Sequence, residues 1–220
     1  RAVRRTLDRT KGQRVHGVVF QGMGEPLANL ERVLGAIAVM SDPSALAIDA
    51  KCITVCTAGL PAGIRRLAKE EPRVRLGLSI SSARPEVRRR LMPISDPHPL
   101  EEVMEAAEEH AKATGHAPMW AVTPLAGVND TPEDAAALAA LVKRFTERTG
   151  VRPRVSVVPY NRIDDDAGDP FRRADDARAA AFREAMIQDG LIPHLRYSGG
   201  SDVAAACGQL AARAREADEG

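Results

Sequence analysis

A chain of 220 residues carrying a net charge of +1 can bury one large core or two small ones, and neither its size nor its charge assigns a class. Hydrophobic residues make up 44% and aromatics only 3%, which excludes a disordered chain and predicts a core of Ala, Val, Leu and Ile. No apolar run approaches the roughly 18 residues of a membrane span, no signal-type stretch follows the basic start, and three cysteines make no disulfide framework; the expectation is a cytoplasmic protein with reduced thiols and no membrane partner.

The sequence opens on Arg1, and the stretch Arg1 to Arg14 reads as the tail of a helix that begins upstream. Val15 to Phe20 is then a short apolar run ending in a Gly-rich turn, the pattern of a buried strand. Asn29 is placed to cap the following helix, in which Leu30, Val33, Leu34, Ile37 and Met40 recur on one face. Ile53 to Cys56 predicts a second strand, with a helix over Pro61 to Glu70 behind it, Pro61 suiting the first turn. Val74 to Ser81 is a third strand, followed by a short helix from Pro85 to Leu91 and a longer one from Leu100 to Thr114 that Gly115 closes.

Met119 to Thr123 is the fourth strand. Thr131 caps a helix from Pro132 to Thr149 that Gly150 stops, and Val155 to Val158 is the fifth strand. A helix over Asp175 to Gly190, a last strand near His194 to Tyr197, and a C-terminal helix starting at Ser201 or Asp202 and holding Cys207 complete the reading. The acidic, Pro/Gly-punctuated Asp164 to Arg173 is the best loop, and no linker divides the chain. Short apolar strands alternating with helices predict parallel β/α units, in an open doubly wound sheet or a barrel.

Small and polar residues collect at the C-terminal ends of these strands, in Gly22 to Pro26, Cys56 to Gly59, Ser79 to Ser82 and Pro159 to Asn161. That edge is where parallel β/α folds bind ligands. Gly22 and Gly24 let the backbone turn and approach a ligand, Glu25 supplies a carboxylate able to accept from an ammonium group, and Pro26 stiffens the exit. The competing reading is a strand-to-helix turn with no ligand, and spacing alone does not decide between them.

The stretch GVVFQGMGEPLANLERV resembles the adenine C2 methyltransferases of the radical S-adenosylmethionine superfamily, which act on large-subunit ribosomal RNA and, in some members, transfer RNA. The resemblance continues collinearly through VCTAG, MPIS, GVNDTPEDAAALAALVK, VVPYN and AAACGQLA. It implies an α/β fold, a partial (β/α)6-type barrel of parallel strands incomplete at its N-terminus, with residues 1–220 forming the C-terminal portion of the radical core domain.

By the same resemblance Gly24 and Glu25 contact S-adenosylmethionine, Glu25 holding its ammonium, with Cys56, Ser79, Ile80, Ser81 and Asn161 as further contacts, and Cys207 is the cysteine that becomes methylated. Cys56 stands where the family has Ser, Ser81 where it has His, and the Ser198 to Asp202 stretch carries glycines where the family has arginine. The implied partners are an RNA substrate and an external one-electron reductant. The implied cofactors are S-adenosylmethionine and a [4Fe-4S] cluster whose CxxxCxxC ligands are expected upstream, so the chain alone is expected to be inactive.

Adenine C2 lies between two ring nitrogens and is too electron-poor to attack a methyl group as a nucleophile. The implied route methylates Cys207, removes a hydrogen from that methyl group with a deoxyadenosyl radical from a second cofactor molecule, and adds the methylene radical to C2. A second cysteine then resolves the adduct by forming a disulfide with Cys207, which is reduced before the next turnover.

Cys52 and Cys56 are spaced C-x-x-x-C, but on a strand they lie about 13 Å apart and no third cysteine is near, so Cys52 reads as a buried small hydrophobe and no metal site is expected. Histidines at 16, 98, 110, 116 and 194 lack ligand spacing. Arg88, Arg89 and Arg90 read as a solvated helix face, and Asp164 to Asp166 as an exposed acidic loop. Two other functions fit the same residues: a paralogue that modifies a different substrate, and a β/α domain that binds without catalysis.

Overall fold

The computed structural model describes residues 15–21, 24–161 and 170–196. Its frame is a six-stranded, all-parallel sheet in sequential order: β1 (Val18–Phe20), β2 (Ile53–Thr57), β3 (Arg75–Ser79), β4 (Met119–Val122), β5 (Arg154–Val157) and β6 (His194–Leu195). Parallel neighbours need crossovers, and right-handed crossovers in sequential order put every helix on the same side, so the sheet curls into a half-barrel with one helix-covered and one open face.

The register sorts the side chains accordingly. Val55, Leu76, Leu78, Trp120, Val122, Val155 and Val157 point to the helices and form the core with Ile64, Leu67, Val103, Leu138 and Phe145. Trp120 meets Phe145 edge-on, ring centroids 5.2 Å apart, joining β4 to the helix behind it. The opposite, concave face carries the row Cys56, Gly77, Met119, Arg154 and the row Ser79, Ala121, Ser156, His194. Gly77 is required there, because a Cβ on it would stand 2.6 Å from Cys56 Sγ.

Helix boundaries follow local chemistry. Helices α1 (Leu30–Ser41), α2 (Pro61–Glu70), α3 (Pro85–Leu91), α4 (Leu100–Thr114), α5 (Pro132–Thr149) and α6 (Asp176–Gln188) match the expected order. Gly115 and Gly150 end α4 and α5 in the left-handed conformation, at φ 69° and 72°. Thr131 and Asp134 form a reciprocal capping box at the start of α5.

Three expectations are corrected. Asn29 makes no side-chain cap; a short 3-10 turn, Pro26–Asn29, leads into α1, and Glu25 caps it by accepting from Leu27 N–H at 3.0 Å. Strand ends shift: β1 ends at Phe20 as expected and β2 runs one residue further, to Thr57, while β3 stops at Ser79 rather than Ser81, β4 at Val122 rather than Thr123, β5 at Val157 rather than Val158 and β6 at Leu195, Tyr197 lying outside the described residues. Cys52 is exposed, because it closes the 3-10 turn Ala50–Cys52 before β2 enters the sheet. Gly22, Met23, Asp164 to Asp166 and the expected helix around Cys207 lie outside the described residues. No helix among the described residues is long and apolar enough to cross a membrane.

Candidate functional site

The C-terminal ends of β1 to β4 are joined by three side chains. Glu25, half-buried after β1, accepts from Leu27 N–H through one carboxylate oxygen and, across 33 residues, from Ala58 N–H at 2.8 Å through the other. Each oxygen keeps a lone pair, so the carboxylate remains able to accept from a cation. Gly24 beside it has φ +99° and, among the described residues, nothing within 4 Å of where a Cβ would stand. Glycine is needed there for its backbone angle.

Arg88 makes the second bridge. Its side chain is buried, and its guanidinium donates to the carbonyls of Ala58 at 2.7 Å and Ser79 at 2.8 Å, and also to that of Ile80. Burial pushes its pKa down to about 10, which leaves it charged at neutral pH. Gly59 makes this reach possible: at φ +118°, a Cβ there would stand 2.9 Å from Val103 and 3.4 Å from Arg88 itself. The expected solvated face is therefore corrected for Arg88 and holds for Arg89 and Arg90, which are exposed, Arg89 pairing with Asp96 at 3.3 Å. Arg88 lies three positions before half-buried Leu91, on the same helix face, which is the signal that a helical-wheel reading offers.

Asn129 makes the third bridge, between β3 and β4. Its amide donates to the carbonyls of Ser81 at 2.6 Å and Thr123 at 3.0 Å, and its oxygen accepts from Leu125 N–H at 2.7 Å. The sequence places Asn129 inside a matched motif but gives it no role.

Among the expected contact residues, Gly24, Glu25, Cys56, Ser79, Ile80 and Ser81 thus sit on one edge, at the ends of adjacent strands. Asn161 follows β5 on the same edge and is half-buried. Cys207 lies outside the described residues. Burial, with a smaller contribution from Glu25 and against the pull of Arg196, pushes the Cys56 thiol up to about 11, so it is protonated at neutral pH. A protonated thiol is a weak donor, compatible with a ligand contact. Among the described residues no three His, Cys, Asp or Glu side chains gather into a metal site.

Below this edge the concave face is basic. A cavity of about 350 Å³ is lined by Thr54, Arg75, Arg154, Ser156, His194 and Arg196, among others, with no carboxylate among the described residues. Among the described residues Arg75 and Arg154 form no ion pair, and Arg196 reaches only Met119 Sδ at 2.9 Å. Sequence reasoning missed this cluster, because its members come from β3, β5 and β6 and meet only through the register.

No protein-family model matches the chain. A probable RNA methyltransferase of Sorangium cellulosum is 58% identical to it, over 99% of this chain and 59% of that protein. A probable dual-specificity RNA methyltransferase RlmN of Protochlamydia amoebophila is 38% identical, over 96% of this chain and 56% of its own length. A solved radical SAM methyltransferase from Sphaerobacter thermophilus superposes with a TM-score of 0.84 at 31% identity, covering 94% of this chain and 58% of that one. The chain spans a little over half the length of these relatives. Continuous similarity, the curled parallel half-barrel and the bridged strand edge agree: the chain belongs to the RlmN-like family of radical S-adenosylmethionine methyltransferases.

Proposed function

We propose that this chain forms the cofactor-seating half of an enzyme that methylates C2 of adenine in large-subunit ribosomal RNA and in transfer RNA. The observation that carries the reading is Glu25. Its carboxylate is held at the strand edge by backbone N–H groups from two elements, with lone pairs left over and, among the described residues, no side chain or backbone atom crowding Gly24 beside it. That is a fit for the ammonium of S-adenosylmethionine, a charge-assisted contact stronger than a neutral hydrogen bond.

The remaining residues have complementary tasks in this reading. Ser79, Ile80 and Ser81, with Asn161, line the same edge and offer hydroxyl and amide side chains to the nucleoside part of the cofactor. Small concave residues, Gly77 and Ala121 among them, leave the half-barrel open to a ligand. Arg75, Arg154 and Arg196 give the open face a positive potential, which favours a polyanion such as RNA. Cys207 carries the methyl group on its sulfur before it reaches adenine.

A [4Fe-4S] cluster would supply the electron that cleaves S-adenosylmethionine. Cys52 and Cys56 do not supply its ligand set: Cys52 is exposed at a turn before β2, Cys56 lies within the strand, and among the described residues no further cysteine, histidine or carboxylate joins them in a group of three. The ligands are sought in the longer protein.

The test is nucleoside mass spectrometry of ribosomal and transfer RNA from a strain lacking the full-length gene. Loss of 2-methyladenosine that a plasmid copy restores supports the assignment; unchanged RNA overturns it and favours a paralogue with another substrate, the reading that Ser81 in place of the family's His motivates.

A further inference from the structure

Ser81 adopts φ +57°, the left-handed region that a serine enters only at a cost, and among the described non-glycine residues only Ala47 shares it. The local hydrogen bonds explain how it is held. Ser82 N–H closes back on Ile80 C=O at 2.6 Å, so Ser81 is the apex of a three-residue turn. Ile80 N–H and Ser81 N–H converge on Ala121 C=O at 2.9 and 3.4 Å. The carbonyls of Ser79 and Ile80 are taken by Arg88, and that of Ser81 by Asn129 at 2.6 Å.

Asn129 is 2% exposed and its amide is fully used: both N–H groups donate, to Ser81 and Thr123, and its oxygen accepts from Leu125. The Ser81 hydroxyl, in contrast, is half-exposed and has no hydrogen-bond partner among the described residues. The strained apex thus turns an unused donor and acceptor outward while its backbone is tied down behind. An outlier of this kind at a strand end is preserved only where the surroundings over-determine it.

We propose that Asn129 is a positioning residue for the cofactor: by clamping the Ser81 carbonyl it holds the Ser79 to Ser81 segment in the one backbone shape that seats S-adenosylmethionine. The inference rests on the cofactor reading of that segment. Asp is nearly isosteric with Asn but cannot donate, so Asn129→Asp sets a carboxylate against two carbonyls and releases the apex. Glycine at position 81 reaches the left-handed region without a clamp.

The experiment measures equilibrium binding of S-adenosylmethionine and, separately, of an RNA substrate by full-length wild type, Asn129→Asp, Ser81→Gly and the double variant, with thermal unfolding alongside. Asn129→Asp is expected to weaken cofactor binding by roughly tenfold and leave RNA binding unchanged, and the same change on the Ser81→Gly background to weaken it less than threefold. Equal losses for both ligands, or the same loss on both backgrounds, would mean a merely structural Asn129 and overturn the proposal. If Asn129→Asp does not fold, Asn129→Ser, which keeps a hydroxyl near the same carbonyls, is measured against the same criteria. Wild type that binds no S-adenosylmethionine would instead refute the function proposed above.

Discussion

His110 predicts an acid sensitivity that can be worked out from its surroundings. It lies in α4 with no exposed surface, and neither ring nitrogen has a hydrogen-bond partner among the described residues. Burial, reinforced by His116, pushes its pKa from 6.5 down to about 4. A histidine with a depressed folded value binds its proton more readily when unfolded, so the stability it permits is fully present above about pH 6.5 and is lost as pH falls toward about 4. Between about pH 7.5 and about pH 5 the loss is about 2 kcal/mol, which at this chain length is roughly 4–8 °C in unfolding midpoint.

Replacing His110 with Leu removes both the titration and the unpaired nitrogens. The assay is thermal or urea unfolding of wild type and His110→Leu across that pH range. Other groups titrate in both proteins, so the difference between the two curves isolates position 110. The wild type should lose about 2 kcal/mol more than the variant on acidification. Parallel curves would refute the reasoning, placing the titration elsewhere.

Replacing Arg88 with Met leaves the carbonyls of Ala58, Ser79 and Ile80 without their donor and should cost about 3 kcal/mol by denaturant unfolding, with weaker S-adenosylmethionine binding; unchanged stability would mean that water takes over those carbonyls. Gly24→Ala, at φ +99° with no described residue within 4 Å of the new Cβ, should cost about 1–2 kcal/mol from backbone strain, whereas Gly59→Ala adds a contact of 2.9 Å with Val103 and should cost more; the order is read from urea midpoints. Iodoacetamide near pH 8 should alkylate exposed Cys52 well before Cys56, whose thiol is held protonated, and peptide mapping reads the two rates separately.

The helices were legible because their ends carry local chemistry: Pro61, Pro85 and Pro132 at first turns, Thr131 as a cap, Gly115 and Gly150 as stops. Sheet order and the curl follow from the succession of strands and crossovers once the barrel-type alternative is taken, which the family resemblance supplied and periodicity did not. Strand ends were less legible, since apolar runs such as Val74 to Ser81 continue past the last ladder bond into the site loop.

The site divided in the same way. Glu25 and the Ser79 to Ser81 segment are marked by motif, but Arg88 is marked only by its place on the face of half-buried Leu91, and nothing local points to the carbonyls after β2 and β3 that its guanidinium reaches. Asn129 and the basic cluster of Arg75, Arg154 and Arg196 depend on contacts between distant segments, which no local pattern encodes.

The most direct test of the central claim is transfer of a deuterated methyl group from S-adenosylmethionine to RNA by the full-length protein, reconstituted anaerobically with iron, sulfide and a one-electron reductant. Wild type should place label on adenine C2, Glu25→Gln should do so only at greatly raised cofactor concentration, and Cys207→Ala should place none. Label on C2 with the Glu25 variant at wild-type cofactor affinity would contradict the account.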